Sequence, residues 1–236
     1  VTIPPTVYAI PALALLVATL FVAGVARVAP PERRAAWAFA AALGGLAWYG
    51  GTAWLASTGF FADFDARPPR AGVLLGGVLA IGLGVGLSPV GGRLARLPLA
   101  VLVGVQVFRL PLELAMHEAA TIGLMPAQMS FTGWNFEIVP ATLAIPVALL
   151  AARGRAPRWL VRMWWVLGTA TLLGIIGIAV ASLPLFAAFG EAPERLNLWV
   201  TRFPWVWLPA GCVAFALLGH VVLARRLFGG ERAESG

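Results

Sequence analysis

No lysine occurs in the chain; all 17 of its basic residues are arginine. A rhodopsin-type pigment carries retinal as a Schiff base on a lysine amine, so that cofactor and that function are excluded at once. Lysine codons are rich in A, and their absence beside so much Ala, Gly, Pro and Arg points to a GC-rich bacterial source. Cysteine is nearly missing too. Cys212 stands alone in an apolar run, cannot close a disulfide within the chain, and reads as a small core residue. Charge of either sign is scarce, with 11% of the 236 residues charged and 60% hydrophobic. A soluble domain carries about 25% charged residues, so this composition belongs to a membrane protein whose core is its own helix bundle.

Several chemical signatures are absent as well. There is no GxSxG elbow, no HExxH and no cluster of histidines. The run Gly82-Leu83-Gly84-Val85-Gly86 superficially resembles a phosphate loop, but it lies inside an apolar segment with no preceding strand, so close helix packing explains it better. The net charge of +7 does not call for nucleic acid, because the arginines fall in loops as the orientation rule for membrane proteins expects.

What is present is a series of long apolar runs. Seven transmembrane helices are expected, over about 6–26, 35–57, 70–90, 98–120, 137–152, 163–187 and 203–224, forming one domain over 1–226 with a short polar cytoplasmic tail at 227–236. The fold class is therefore all-α and polytopic. The first run has no basic n-region or small-residue cleavage site and is read as a permanent span, not a secretory signal. On this division twelve arginines fall on one side of the membrane and four on the other, which puts the N-terminus outside and the C-terminus in the cytoplasm of a bacterial inner membrane. In the second span Trp37 lies near one end and Trp48, Tyr49 and Trp54 towards the other, as interfacial rings would. In the third, the spacings Gly72/Gly76 and Gly82/Gly86 are small-xxx-small patterns for close helix approach. The stretch FFADFDARPPR after the second span resembles LFAAFGEAPER after the sixth, which suggests two parallel three-helix repeats joined by the fourth span, an arrangement found among secondary transporters.

The fourth span carries the feature that points to function. Gln106, Arg109, Glu113 and His117 fall within an arc of roughly 80° on a helix, while Glu118 points away. Charge at membrane depth costs at least about 2.5 kcal/mol, so such residues face the protein interior, pair, and mark candidate sites. Glu113 would lie roughly 6 Å and His117 roughly 12 Å further out than Arg109. Pro111 removes a helical donor in the middle of this stripe and is expected to kink it. The two accounts of the stripe are an intrahelical Arg109–Glu113 strut and a substrate or proton site formed by Arg109, Glu113, His117 and Gln106. The uncharged stretch from 121 to 136 is expected to lie in the interface or fold back as a lid, with Glu118, Asn135 and Glu137 as contributors at the outer mouth. Asn135 and Glu137 also suit a helix cap and an acidic first turn.

His117, Glu118 and Glu137 have metal-ligand chemistry without a diagnostic spacing, so no metal is expected. His220 reads as an interfacial histidine one turn from the cytoplasmic end, too far from His117 to share a haem, and no cofactor is indicated. The expected function is a small-solute or proton-coupled transporter, channel or ligand-binding protein with an outward-opening polar pocket. The alternatives are a membrane-embedded enzyme acting on a lipid or isoprenoid and an accessory subunit of a membrane complex. The expected partners are bilayer lipid and a small-molecule or ionic ligand, with homo-oligomer formation left open and no nucleic acid.

Overall fold

The computed structural model describes residues 5–229, so the expected tail lies outside the described residues from residue 230 onward. Among the described residues the protein is helical throughout, without strands. The helices are α1 (Ala9–Val28), α2 (Arg34–Ser57), α3 (Arg70–Leu87), the short α4 (Pro89–Leu94), α5 (Leu99–Gly104), α6 (Arg109–Thr121), α7 (Ile138–Ala152), α8 (Arg158–Ala181) and α9 (Ala214–Phe228). A 3-10 turn, Val105–Phe108, joins α5 to α6, and a π-helical turn, Leu208–Val213, leads into α9.

Among the described residues five helical stretches are long and apolar enough to cross a membrane: Ala9–Val28, Arg70–Leu87, Leu99–Thr121, Arg158–Ala181 and Leu208–Phe228. This fits a multi-pass integral membrane protein. The other two expected spans differ from these five. Helix α7 is apolar but has 15 residues, about 22 Å of helix against a hydrocarbon thickness of about 30 Å. Helix α2 is long, but Gly, Trp, Tyr and Thr dilute its apolar character over residues 44–52. It nonetheless leaves Phe39, Leu46 and Trp54 each about two-thirds exposed, a surface that suits lipid better than water.

Proline decides several boundaries. The sixth helical segment was expected over 163–187 but runs from Arg158 to Ala181. It begins directly after Pro157, which has an extended backbone as the helix cap, and ends two residues before Leu183-Pro184, where the residue preceding proline disfavours helix. The last was expected over 203–224, yet the segment around Pro204 forms turns and the helix continues to Phe228. Pro111 leaves the Val107 carbonyl without its usual donor, and the chain just before it winds as the 3-10 turn.

Close approach between α3 and α9 forms the densest helix contact. A Cβ added to Gly82 would stand 2.8 Å from Leu217 Cβ, and one added to Gly86 would meet Val221 at the same distance. The other pair, Gly72 and Gly76, faces open space. Only the second of the two small-xxx-small patterns therefore packs inside the bundle.

The rings of α2 act differently from an interfacial belt. Trp48 Nε1 donates to the Ala210 carbonyl at 2.8 Å, the Tyr49 hydroxyl donates to Ala14 O at 2.7 Å, and Trp207 Nε1 donates to Tyr49 O at 3.1 Å. Trp48 and Tyr49 thus tie α2 to α1 and to the π turn, while Trp54 stays on the surface.

The segment between α6 and α7 folds back over the bundle. Met125, Met129, Ser130 and Asn135 are buried in it, and Gln128 Nε2 donates to Ser182 Oγ and to Arg195 O at 3.0 and 2.7 Å. It is pinned to the far side of the helix bundle instead of hanging free. Trp134 and Phe136 remain well exposed at its edge.

The α3–α9 contact makes a direct prediction. Gly86→Leu, which must displace Val221, should destabilise the protein by about 1–3 kcal/mol in detergent unfolding measurements, while Gly76→Leu should be close to neutral.

Candidate functional site: a buried Arg, Glu and His network

Arg109 is the first residue of α6, immediately after the 3-10 turn, and only 2% of its surface is exposed. A guanidinium here cannot be left without partners, because it stays charged and has only donors to offer. Its ion-pair partner is Glu137 at the start of α7, and not Glu113 on its own helix. The intrahelical strut is therefore corrected: one turn of helix separates Arg109 and Glu113, but the stripe faces a neighbouring helix whose carboxylate reaches Arg109 instead. Arg109 Nη1 also lies 3.0 Å from His220 Nε2, and Nη2 approaches the Gly168 carbonyl at 3.5 Å. One side chain thus joins α6 to α7, α8 and α9.

These contacts fix the tautomer of His220. Arginine can only donate, so Nε2 must accept and the imidazole proton sits on Nδ1. Thr169 Oγ1 lies 2.9 Å from Nδ1 and itself donates to the Trp165 carbonyl at 2.8 Å, which leaves it free to accept the imidazole proton. The indole of Trp164 lies nearly parallel to the imidazole, 6.0 Å away, and its Nε1 donates to Pro140 O at 2.9 Å. His220 is 4% exposed, so its expected interfacial position is corrected. Because α9 runs on to Phe228, His220 lies about 12 Å from the helix end.

One amide links the Glu113 carboxylate to the backbone at Glu137. Asn135 Nδ2 donates to Glu113 Oε2 at 2.7 Å and to Met129 O at 3.1 Å, while Asn135 Oδ1 accepts the Glu137 backbone N–H at 3.0 Å. Asn135 is at once the cap of α7 and the bridge between Glu113 and Glu137. Thr171 on α8 donates its hydroxyl to Glu137 Oε1. Asn135, Glu137 and Glu113 are 1%, 3% and 3% exposed, so Asn135 and Glu137 belong to the buried network and not to an outer mouth.

Two more glycines make room for these side chains. A Cβ on Gly168 would lie 2.9 Å from His220 Cε1, and a Cβ on Gly219 would overlap the Gln106 amide. Among the described residues Gln106, 1% exposed, has no hydrogen-bond partner for either end of its amide, and Arg109 Nε likewise has none. Buried polar groups of this kind carry a cost of about 1–3 kcal/mol each unless something satisfies them.

His117 stands apart from the network. It is half-buried, with Nδ1 3.0 Å from Ser130 Oγ and its ring stacked on Phe131 at 4.5 Å. Glu118 is half-buried and makes no ion pair among the described residues. His117, Glu118 and Glu137 do not assemble; among the described residues no group of three or more His, Cys, Asp or Glu is placed to hold a metal ion.

Arg109, Glu113, Asn135, Glu137 and His220 are each at most 4% exposed. An apolar cleft of about 90 Å³ lies against Met116 and Met129, and a larger recess lies near the end of α9, but neither is lined by an ionisable residue of the network. The folded-back segment packs against the network through Asn135.

His220, Thr169 and Thr171 are the members that sequence reasoning missed. No protein family, curated protein or solved structure matches the chain.

Removing one partner of a buried pair leaves the other uncompensated, at a cost of about 3–5 kcal/mol. Arg109→Leu should therefore unfold at markedly lower denaturant than wild type. Arg109→Leu combined with Glu137→Leu should recover a large part of the loss, and a cycle of the two single variants and the double variant checks this.

Proposed function

We propose that the chain is a small transporter that couples movement of an anionic solute to a proton, with Arg109 as the anion-binding group. The observation that supports this reading is the charge inventory of the network: one guanidinium and two carboxylates, all shut away from solvent. A strut needs one acid for one base. With His220 neutral, the second carboxylate leaves a surplus negative charge that a single proton cancels, and uncancelled charge in hydrocarbon is expensive. Glu113 and Glu137 together therefore provide one seat for an exchangeable proton.

A solute carboxylate or phosphate matches the planar fork of Arg109 and would compete with Glu137 for it. On solute binding Glu137 is displaced from Arg109, and the coupled proton is held on the carboxylate pair of Glu113 and Glu137. The 3-10 turn beside Arg109 and the π turn that opens the last apolar stretch are the irregular helix segments where rearrangement costs least, as in transporters built on broken helices. His117, held by Ser130 and Phe131 of the folded-back segment, takes the part of an outer gate. The described state is the closed one. By its arginine distribution the protein would sit in a bacterial inner membrane with its N-terminus outside.

Complete burial of the network favours a second reading, a polar clamp in an accessory subunit of a membrane complex. Uptake into proteoliposomes separates the two. A panel of labelled small mono- and dicarboxylates, offered with an inward proton gradient, should include at least one whose uptake the gradient stimulates. Glu113→Gln should reduce that uptake by about tenfold or more while keeping a wild-type elution profile, as loss of an acid-base group does. Wild-type uptake by a well-folded Glu113→Gln protein would remove Glu113 from the proton seat, and absence of gradient-stimulated uptake of every solute by the wild-type protein would leave only the clamp.

A further inference from the structure

A different end of the molecule carries a second site. An open recess of about 960 Å³ is lined by Arg96 after α4, Leu99 at the start of α5, Arg158 at the start of α8, and Arg225, Arg226, Leu227 and Phe228 at the end of α9. Arg225 is spent on the fold, with Nη1 donating to Gly86 O and Ser88 O at 2.8 and 2.7 Å. Arg96, Arg158 and Arg226 are exposed, and none forms an ion pair among the described residues. Among the described residues no acidic residue lines the recess.

Helix electrostatics adds to the same imbalance. The helical stretches Leu99–Thr121 and Arg158–Ala181 both present their N-terminal ends here, where free backbone N–H groups and the macrodipole favour negative charge. Both begin after a proline, at Pro98 and Pro157, with no side-chain cap and no acid in the first turn. Arg158 places a positive charge at the end that prefers a negative one. An anion supplied from outside would answer the uncapped helix starts and the three unpaired arginines together.

We infer that this recess binds the phosphate of an anionic phospholipid headgroup. Three guanidinium groups from three separate chain segments suit a phosphate, to which arginine donates in paired, charge-assisted bonds. The apolar side chains of Leu99, Leu227 and Phe228 share the wall, and Trp159, next to Arg158, is two-thirds exposed, so the surroundings suit acyl chains better than a soluble ion. Basic recesses where membrane helices emerge are suited to such headgroups.

The test uses the full-length protein in neutral detergent, with retained lipid counted by native mass spectrometry. Wild type should retain phosphatidylglycerol in preference to phosphatidylcholine, and inorganic phosphate in excess should not displace it. Arg96→Gln with Arg158→Gln and Arg226→Gln should weaken phosphatidylglycerol binding by roughly a hundredfold, at about fivefold for each charge. The same three positions changed to Lys should retain most of the preference. The matched change Arg33→Gln with Arg34→Gln and Arg153→Gln, which removes as much charge away from the recess, should leave it intact. Four results would overturn the inference: no preference between the lipids, displacement by inorganic phosphate, equal loss in the matched variant, or lipid retention that appears only once Glu231 and Glu234 are changed to Gln.

Discussion

A guanidinium fixed inside an apolar bundle has to be surrounded by acceptors, and the placement of Arg109 organises everything near it. Its acceptors come from three other helices: the Glu137 carboxylate, the Nε2 lone pair of His220 and the Gly168 carbonyl. To bring them within reach, α8 must lack a side chain at Gly168, and α9 must lack one at Gly219, beside Gln106. The segment before α7 must then turn inward, since Asn135 both starts that helix and holds Glu113. Each accommodation serves one buried charge.

The remainder of the bundle is held by a different principle. Apolar helices gain no hydrophobic advantage from one another over lipid, so close contact and interhelical hydrogen bonds have to hold them together. Gly82 and Gly86 supply the first against α9. Trp48, Tyr49, Trp164, Trp165 and Trp207 supply the second, each donating to a backbone carbonyl of another segment. Two of these carbonyls, those of Pro140 and Ala210, belong to a proline-containing helix and to the π turn. The aromatic residues therefore act as cross-links as much as interfacial anchors, and they leave the proposed site on a rigid frame.

The polar stripe itself was legible because helical spacing is a local property: Gln106, Arg109, Glu113 and His117 share a face whatever surrounds them. The partner of Arg109 was not legible in the same way. A helical wheel gives the direction of a side chain, but not which neighbour fills that direction, and Glu113 at one turn looked as good as Glu137 across a loop. His220 was misjudged because its depth depends on where α9 ends, and four more residues of helix moved it from the interface to the interior. Helix α7 was read as a span from its apolar character, although its length falls short of the bilayer core. Pro111 was read as a kink from its missing N–H, and a 3-10 turn stands just before it while α6 runs on through it.

Composition and periodicity alone determined that this is an all-helical chain suited to a membrane, free of any lysine chemistry, with one polar face hidden in its fourth apolar run. These are consequences of local spacing and of transfer energies that act residue by residue. Tertiary structure alone decided which acid answers Arg109, that His220 joins it through a neutral ring nitrogen, that the folded-back segment packs against the site, and that three distant arginines gather around one recess. Those outcomes depend on how helices remote in sequence are set side by side. That arrangement is fixed by glycine contacts and backbone carbonyls whose partners no single segment can name.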